Sequence, residues 1–162
     1  MFNLNVVIVG GGVAGLSTSI ALQRKGHAVT ILERHPGCQA LGGPVRIWPN
    51  ATRVLIDYGM EEIMSKKNTA GRDIFYMRRF ATGEVLESDS MDTTIKLYGY
   101  PSWILARYRL QETLAQVASE RGVKIRFNSE VVGVDLEKTA VTLKDGSIIK
   151  ADLIIGTDGM AC

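Results

Sequence analysis

Residues 5–9, NVVIV, set β-branched apolar side chains on both faces of an extended segment, the pattern of a strand in the middle of a parallel sheet. Glycines follow at once. The string VAGLSTSIALQRK (13–25) then reads as a helix, with Leu16, Ile20 and Ala21 on one side, basic residues in its last turn and Gly26 placed to end it. HAVTILE (27–33) is a second strand, so the chain opens β-α-β, which for parallel strands implies a right-handed crossover. That alternation breaks after residue 33. A Gly/Pro loop leads to a short helix with Asn50 as its N-cap and an end near Gly59. DIFYMRRFATGEVLES (73–88) reads as a hairpin about Thr82-Gly83. RLQETLAQVASERG (109–122) places Leu110, Leu114, Val117 and Ala118 on one helical face closed by Gly122. VKIRF is a further sheet strand, Asp145-Gly146 marks a hairpin among several short strands, and Asp152 to Ile155 reads as a buried strand leaving through Thr157-Asp158-Gly159. Trp48, Tyr98, Tyr100 and Trp103 are assigned to the core, His27 and His35 to solvent and Val131 to strand core. The elements add up to an α/β fold, with no repeat, low-complexity tract or interdomain linker.

Composition narrows the class. At 162 residues the chain suits one domain with a real core, since domains commonly run to roughly 100–150 residues. Charged residues make up 22% and hydrophobic ones 46%, which excludes a disordered chain, while seventeen glycines announce special turns or close backbone contacts. A net charge of +2 with acids and bases interspersed offers no basic stripe, so nucleic acid is not an expected partner. Cys38 and Cys162 lie far apart with no CxxC or Cys/His spacing; this argues against a structural metal and fits a reducing compartment, with a disulfide between them left open. The longest apolar run is broken by glycines, lacks a basic leader and falls short of the roughly 18 residues of a membrane helix. A cytoplasmic protein without a membrane segment is expected.

The first chemical signal is Gly10-Gly11-Gly12-Val13-Ala14-Gly15, which satisfies G-x-G-x-x-G. Such a motif means little at an ordinary tight turn. Between a strand and a helix, however, Gly10 permits the turn, Gly12 lets backbone approach a pyrophosphate, and Gly15 lets helix and sheet pack closely. The helix N-terminus adds unpaired N–H groups and the positive end of its dipole. The second signal is Glu33, eighteen residues beyond Gly15 at the end of the second strand. A carboxylate there can accept hydrogen bonds from both hydroxyls of an adenosine ribose, although a solvated acid beside Arg34 and His35 is the plain alternative. Together the two signals imply dinucleotide binding. They do not separate FAD from NAD, which share the adenosine half.

Four strings bear on that choice: VVIVGGGVAGLSTSIALQRKGHAVTILER, IWPNATRVLIDYGM, RYRLQETLAQVA and LKDGSIIKADLIIGTDGM. In order and spacing they cover nearly the whole chain, and the combination resembles the FAD-dependent monooxygenases of the aromatic-ring hydroxylase, salicylate hydroxylase-like family. The resemblance implies a Rossmann-like FAD-binding fold in which a parallel sheet carries hairpin and meander insertions. It also implies that Gly10, Gly12 and Gly15 cradle the FAD pyrophosphate and that Glu33, followed by Arg34, holds the ribose. Arg46, ahead of Trp48-Pro49-Asn50, falls where the family approaches the flavin or ribityl side, though arginine is not the usual residue there. Arg107 matches the family arginine that contacts FAD; a histidine often precedes it, where this chain has Ala106. Asp158-Gly159 resembles the family's DG motif, associated with both FAD and NAD(P)H. No catalytic residue and no metal ligand is assigned.

In the resembling family the DG turn is followed by a helix, a substrate-binding sheet and a second flavin-contacting motif. Residues 1–162 are therefore expected to be one incomplete FAD-binding domain, the N-terminal portion of an enzyme that hydroxylates a small aromatic or polyketide-like substrate with NAD(P)H and O2. Two alternatives stay open. One is a non-catalytic FAD-binding fragment that works by self-association or with a partner chain covering an exposed apolar face. The other is an NAD-dependent oxidoreductase, which should continue its β-α alternation after Glu33.

Overall fold

The computed structural model describes residues 3–39, 42–68 and 74–159. In chain order its elements are β1 (Asn5–Val9), α1 (Val13–Arg24), β2 (Ala28–Leu32), β3 (Pro44–Ile47), α2 (Pro49–Asp57), α3 (Glu61–Lys67), β4 (Ile74–Arg78), β5 (Val85–Ser90), α4 (Met91–Tyr98), β6 (Trp103–Ala106), α5 (Arg107–Glu120), β7 (Lys124–Arg126), β8 (Val131–Asp135), β9 (Ala140–Leu143), β10 (Ile148–Lys150) and β11 (Leu153–Gly156). They fall into two compact units: Met1–Leu41 with Leu110–Cys162, and Gly42–Arg109.

The first unit is built on a parallel sheet of order β11-β1-β2-β7. β1 is paired on both edges, as its two-sided apolar pattern requires, and Val6, Val7 and Ile8 are all buried. Because side chains alternate along a strand, Val7 and Ile8 serve opposite faces. Val7 joins Leu32, Val141 and Leu143 in a core cluster, with Val131, Ile149 and Ile154 packed against it. The antiparallel meander β8-β9-β10 therefore covers one face of the sheet. α1 packs on β1 and β2 and buries Leu16 and Ile20. Each such side chain, withdrawn from water, contributes roughly 1.5–3 kcal/mol. The outer strand β11 is registered by a reciprocal pair: Asn5 N–H donates to Asp152 Oδ2 at 2.7 Å, and Asp152 N–H donates to Asn5 O at 2.8 Å.

The second unit holds two antiparallel pairs, β3-β6 and the hairpin β4-β5, with α2, α3 and α4. Its interior is Ile47, Leu55, Tyr58, Met60, Met64, Trp103 and Leu105. Two polar ties cross it. Thr52 Oγ1 donates to Pro101 O at 2.7 Å, and Asn68 Oδ1 accepts from Ile104 N–H at 2.9 Å.

The α/β class, the parallel opening, the hairpin at 74–90 and the face of α5 agree with the pattern, and several details differ. Ala21 is exposed, and Ser19 lies inside instead, its hydroxyl satisfied by donating to Leu16 O at 2.7 Å. Asn50 is not the N-cap of α2: Trp48 is, because Pro49 takes the first helical position, where its missing N–H costs nothing. β11 is only half-buried, since among the described residues it has β1 as its one neighbour in the sheet. Of the aromatic residues assigned to the core, Trp103 is there, whereas Trp48, Tyr98 and Tyr100 are exposed. His27 is part-buried, its Nδ1 accepting from Leu4 N–H at 3.3 Å, and His35 is part-buried as well. Cys162 lies outside the described residues. Among them, no helix is long and apolar enough to cross a membrane.

Candidate functional site

The turn between β1 and α1 needs its glycines for different reasons. Gly10 has φ +106°, a conformation that L side chains rarely adopt, and a Cβ there would lie 2.7 Å from Thr157 O. At Gly15 a Cβ would lie 2.1 Å from Gly10 O and 2.6 Å from Thr157 Oγ1, so the helix could not sit where it does. Gly11 is a third case. Its Cβ would come within 3.0 Å of the Glu33 side chain, a constraint that the G-x-G-x-x-G pattern does not express. Gly12 alone meets nothing within 4 Å. The space in front of that position is therefore open to a ligand.

Gly12 is also the N-cap of α1, with no side-chain cap, and no acidic residue stands in the helix's first turn. Its first N–H groups are therefore uncontested by side chains and suited to a phosphate. An anion with a bulky body fits this cradle.

Glu33 is 8% exposed and ties the loop to β2. Its Oε2 accepts from Gly11 N–H at 2.7 Å and its Oε1 from His35 N–H at 2.9 Å. Each carboxylate oxygen keeps a lone pair, so the group can still accept from ribose hydroxyls. Arg34 points into solvent, its Nε 3.4 Å from His35 Nε2. Asp158 is exposed on the turn beyond β11, and its backbone nitrogen lies 3.0 Å from where a Gly10 Cβ would stand. Gly10, Gly12, Gly15, Glu33 and Asp158 are thus assembled in the first unit. Arg46 and Arg107 belong to the second. Arg46, in β3, lays its guanidinium 4.0 Å from the centre of the Trp48 ring. Arg107 is exposed at the start of α5, its N–H donating to Gly43 O at 3.4 Å and its side chain passing beside Gly42.

Two residues at the loop have no counterpart in the motif. Thr157 Oγ1 lies 2.9 Å from both Val9 O and Gly10 O, and Gln111 Nε2 donates to Gly11 O at 2.8 Å. Both partners are remote in sequence, 147 and 100 residues from the glycines they touch. The position of Thr157 next to Asp158 was a weak pointer; Gln111 carried none. Cys38 is no candidate nucleophile. Burial pushes its thiol above the ordinary range, and the carboxylates of Glu112 and Glu33 push the same way. Among the described residues no group of His, Cys, Asp and Glu could hold a metal.

The family model described as FAD binding domain matches residues 3–162. The chain belongs to that family. Among curated relatives of this FAD binding domain, FAD-dependent monooxygenase OpS4 of Beauveria bassiana (strain ARSEF 2860) is 32% identical, over 97% of this chain and 37% of its own length. 3-Hydroxybenzoate 6-hydroxylase 1 of Aquipseudomonas alcaligenes is 26% identical over 96% of this chain and 40% of its own. The solved structure of CtdE in complex with FAD matches with a TM-score of 0.78 and 28% identity, covering 99% of this chain and 39% of that one. The tetrameric form of 2-methyl-3-hydroxypyridine-5-carboxylic acid oxygenase matches with a TM-score of 0.81 and 28% identity, over 98% and 40%. The chain therefore spans about two fifths of the length of these relatives. FAD is the cofactor of the family, and the open ground before Gly12 fits it.

Proposed function

We propose that this chain is the adenosine- and pyrophosphate-binding portion of an FAD-dependent monooxygenase that hydroxylates a small aromatic or polyketide-like substrate with NAD(P)H and O2 in the cytoplasm. The single observation behind this reading is the glycine loop between β1 and α1, in which Gly10 and Gly15 are held tight against backbone, Gly11 lies against the Glu33 side chain, and the space at Gly12 is open. Bound FAD would supply the redox chemistry, taking a hydride from NAD(P)H and activating O2. The protein's part begins with binding. Gly12 and the α1 N-terminus hold the pyrophosphate, Glu33 accepts from the ribose hydroxyls with Arg34 beside it, and Asp158 borders the same loop. Arg46 and Arg107 offer guanidinium groups suited to phosphate or ribityl oxygens. Both units are read as one FAD-binding domain, a reading supported by the span of the family match.

FAD titration of the purified chain against NAD tests this. Preferential uptake of FAD is expected; tight NAD binding with no response to FAD would overturn it. An NAD-dependent oxidoreductase is the weaker reading, because β2 is followed by the antiparallel pairs of the second unit and not by another β-α repeat. A second reading, an FAD-binding chain that works with a partner chain or a copy of itself, draws on the apolar side chains exposed in the second unit, Phe80, Leu86 and Leu97 among them. Sedimentation separates the two: a monodisperse monomer removes that support.

A further inference from the structure

The Gly11-Gly12 peptide is the one whose orientation decides what the cradle presents. Its carbonyl accepts from Gln111 Nε2 at 2.8 Å, and because a carbonyl only accepts, this partner also settles which end of the Gln111 amide faces it. A trans peptide carries its N–H on the edge opposite its C=O. Holding Gly11 O toward α5 therefore turns Gly12 N–H away from it. The preceding peptide is pinned in the same manner, with Gly10 O against Thr157 Oγ1 and Gly11 N–H against Glu33 Oε2. The atoms pinned by side chains in these two peptides belong to Gly10 and Gly11, and the next donor along the chain is Gly12 N–H, at the residue where a Cβ would meet open space.

We propose that Gln111 is a positioning residue for the cofactor: from the start of the second turn of α5 it clamps the Gly11 carbonyl so that Gly12 N–H is held ready for a pyrophosphate oxygen. The inference rests on the FAD reading for the identity of the ligand but not for the clamp itself. A glycine loop is otherwise the most mobile backbone a protein can place at a binding site, and ordering it on binding would cost affinity. A side-chain amide from a helix removes that cost beforehand. Gln111 lies partly buried on α5 next to Leu110, which is buried, so the helix that donates the amide is itself anchored in the core.

The test compares the 162-residue chain with Gln111→Met, which keeps length and helix propensity but has no donor, and with Gln111→Arg, which restores N–H donors at similar reach. Three quantities are read: the melting temperature without ligand, the affinities for FAD and for ADP, and the amide resonances of Gly11 and Gly12 in the ligand-free protein. Gln111→Met is expected to melt like the parent and to bind both FAD and ADP roughly fivefold or more weakly, the size of one lost hydrogen bond. The Gly12 amide resonance should shift, and Gln111→Arg should recover most of the affinity. Unchanged affinity and unchanged Gly12 resonance in Gln111→Met would overturn the proposal. So would a loss of affinity that only tracks a loss of melting temperature. If Gln111→Met does not fold, Gln111→Glu, of the same length and also without a donor, gives the same comparison. A parent chain that ignores FAD while its Gly12 amide still depends on Gln111 would sink the cofactor reading and support the clamp.

Discussion

β1 and β4 are both five-residue strands with four apolar side chains, NVVIV and IFYMR, yet their fates differ. Val6, Val7 and Ile8 are at most 3% exposed, whereas Tyr76 and Met77 are nearly half exposed. β1 has a hydrogen-bonded neighbour on each edge, a helix on one face and the β8-β10 meander on the other. Among the described residues β4 has a single antiparallel partner, and an isolated two-stranded hairpin is marginal by itself. The two units differ in the same way. The first packs helices and the β8-β10 meander around one parallel sheet and holds the glycine loop from three sides; the second has a smaller interior and displays large apolar side chains. What restrains the loop is the packing and hydrogen bonding around it and not its own composition, which would favour mobility.

The most damaging change should be Gly15→Ala. The added carbon would stand 2.1 Å from Gly10 O, so the helix must leave the sheet, with a loss of more than about 4 kcal/mol by thermal or urea unfolding. Gly12→Val is its control. It should leave folding intact and abolish FAD binding, and if it kept FAD affinity the pyrophosphate assignment would be wrong. Trp103→Ala, which empties the largest buried side chain of the second unit, should cost about 3–5 kcal/mol. Amide exchange should then rise through β3, β6 and α2 while β1, β2 and β7 stay protected; an equal rise in both sets would mean that the two units unfold as one, which breaks the comparison. Glu33→Gln should weaken FAD by about 1.5–3 kcal/mol in a calorimetric titration, the range for hydrogen bonds to a charged group. Phe80→Ser should be the smallest. That ring is fully exposed at the hairpin tip, so stability should stay within about 0.5 kcal/mol, and a larger loss would reveal a contact that shields it.

Local chemistry made some of this legible along the chain. The two-sided apolar run of β1, the periodic face of α5 and the placement of Gly26, Gly122 and Gly146 each depend on neighbours a few residues away, and each appears where the pattern puts it. So does the glycine loop between strand and helix, with Glu33 at the end of β2. The assignment of Trp48, Tyr98 and Tyr100 to the core failed for a physical reason: aromatic character measures how much area a residue could bury, not whether a second surface arrives to cover it. Asn50 as N-cap lost to Pro49, whose ring prefers the first helical position.

The sequence by itself determined the α/β class, the glycine loop and the family resemblance, because these rest on short-range periodicity, on a motif contained in six consecutive residues and on four strings whose order and spacing can be read along the chain. Only the tertiary structure decided what holds the cradle still. Thr157 and Gln111 reach the loop from 147 and 100 residues away, and Glu33 spends its carboxylate on Gly11 and His35. Such contacts are made by parallel strand pairing and helix docking, which join remote segments whose polar side chains bear no local mark of the partner they will meet.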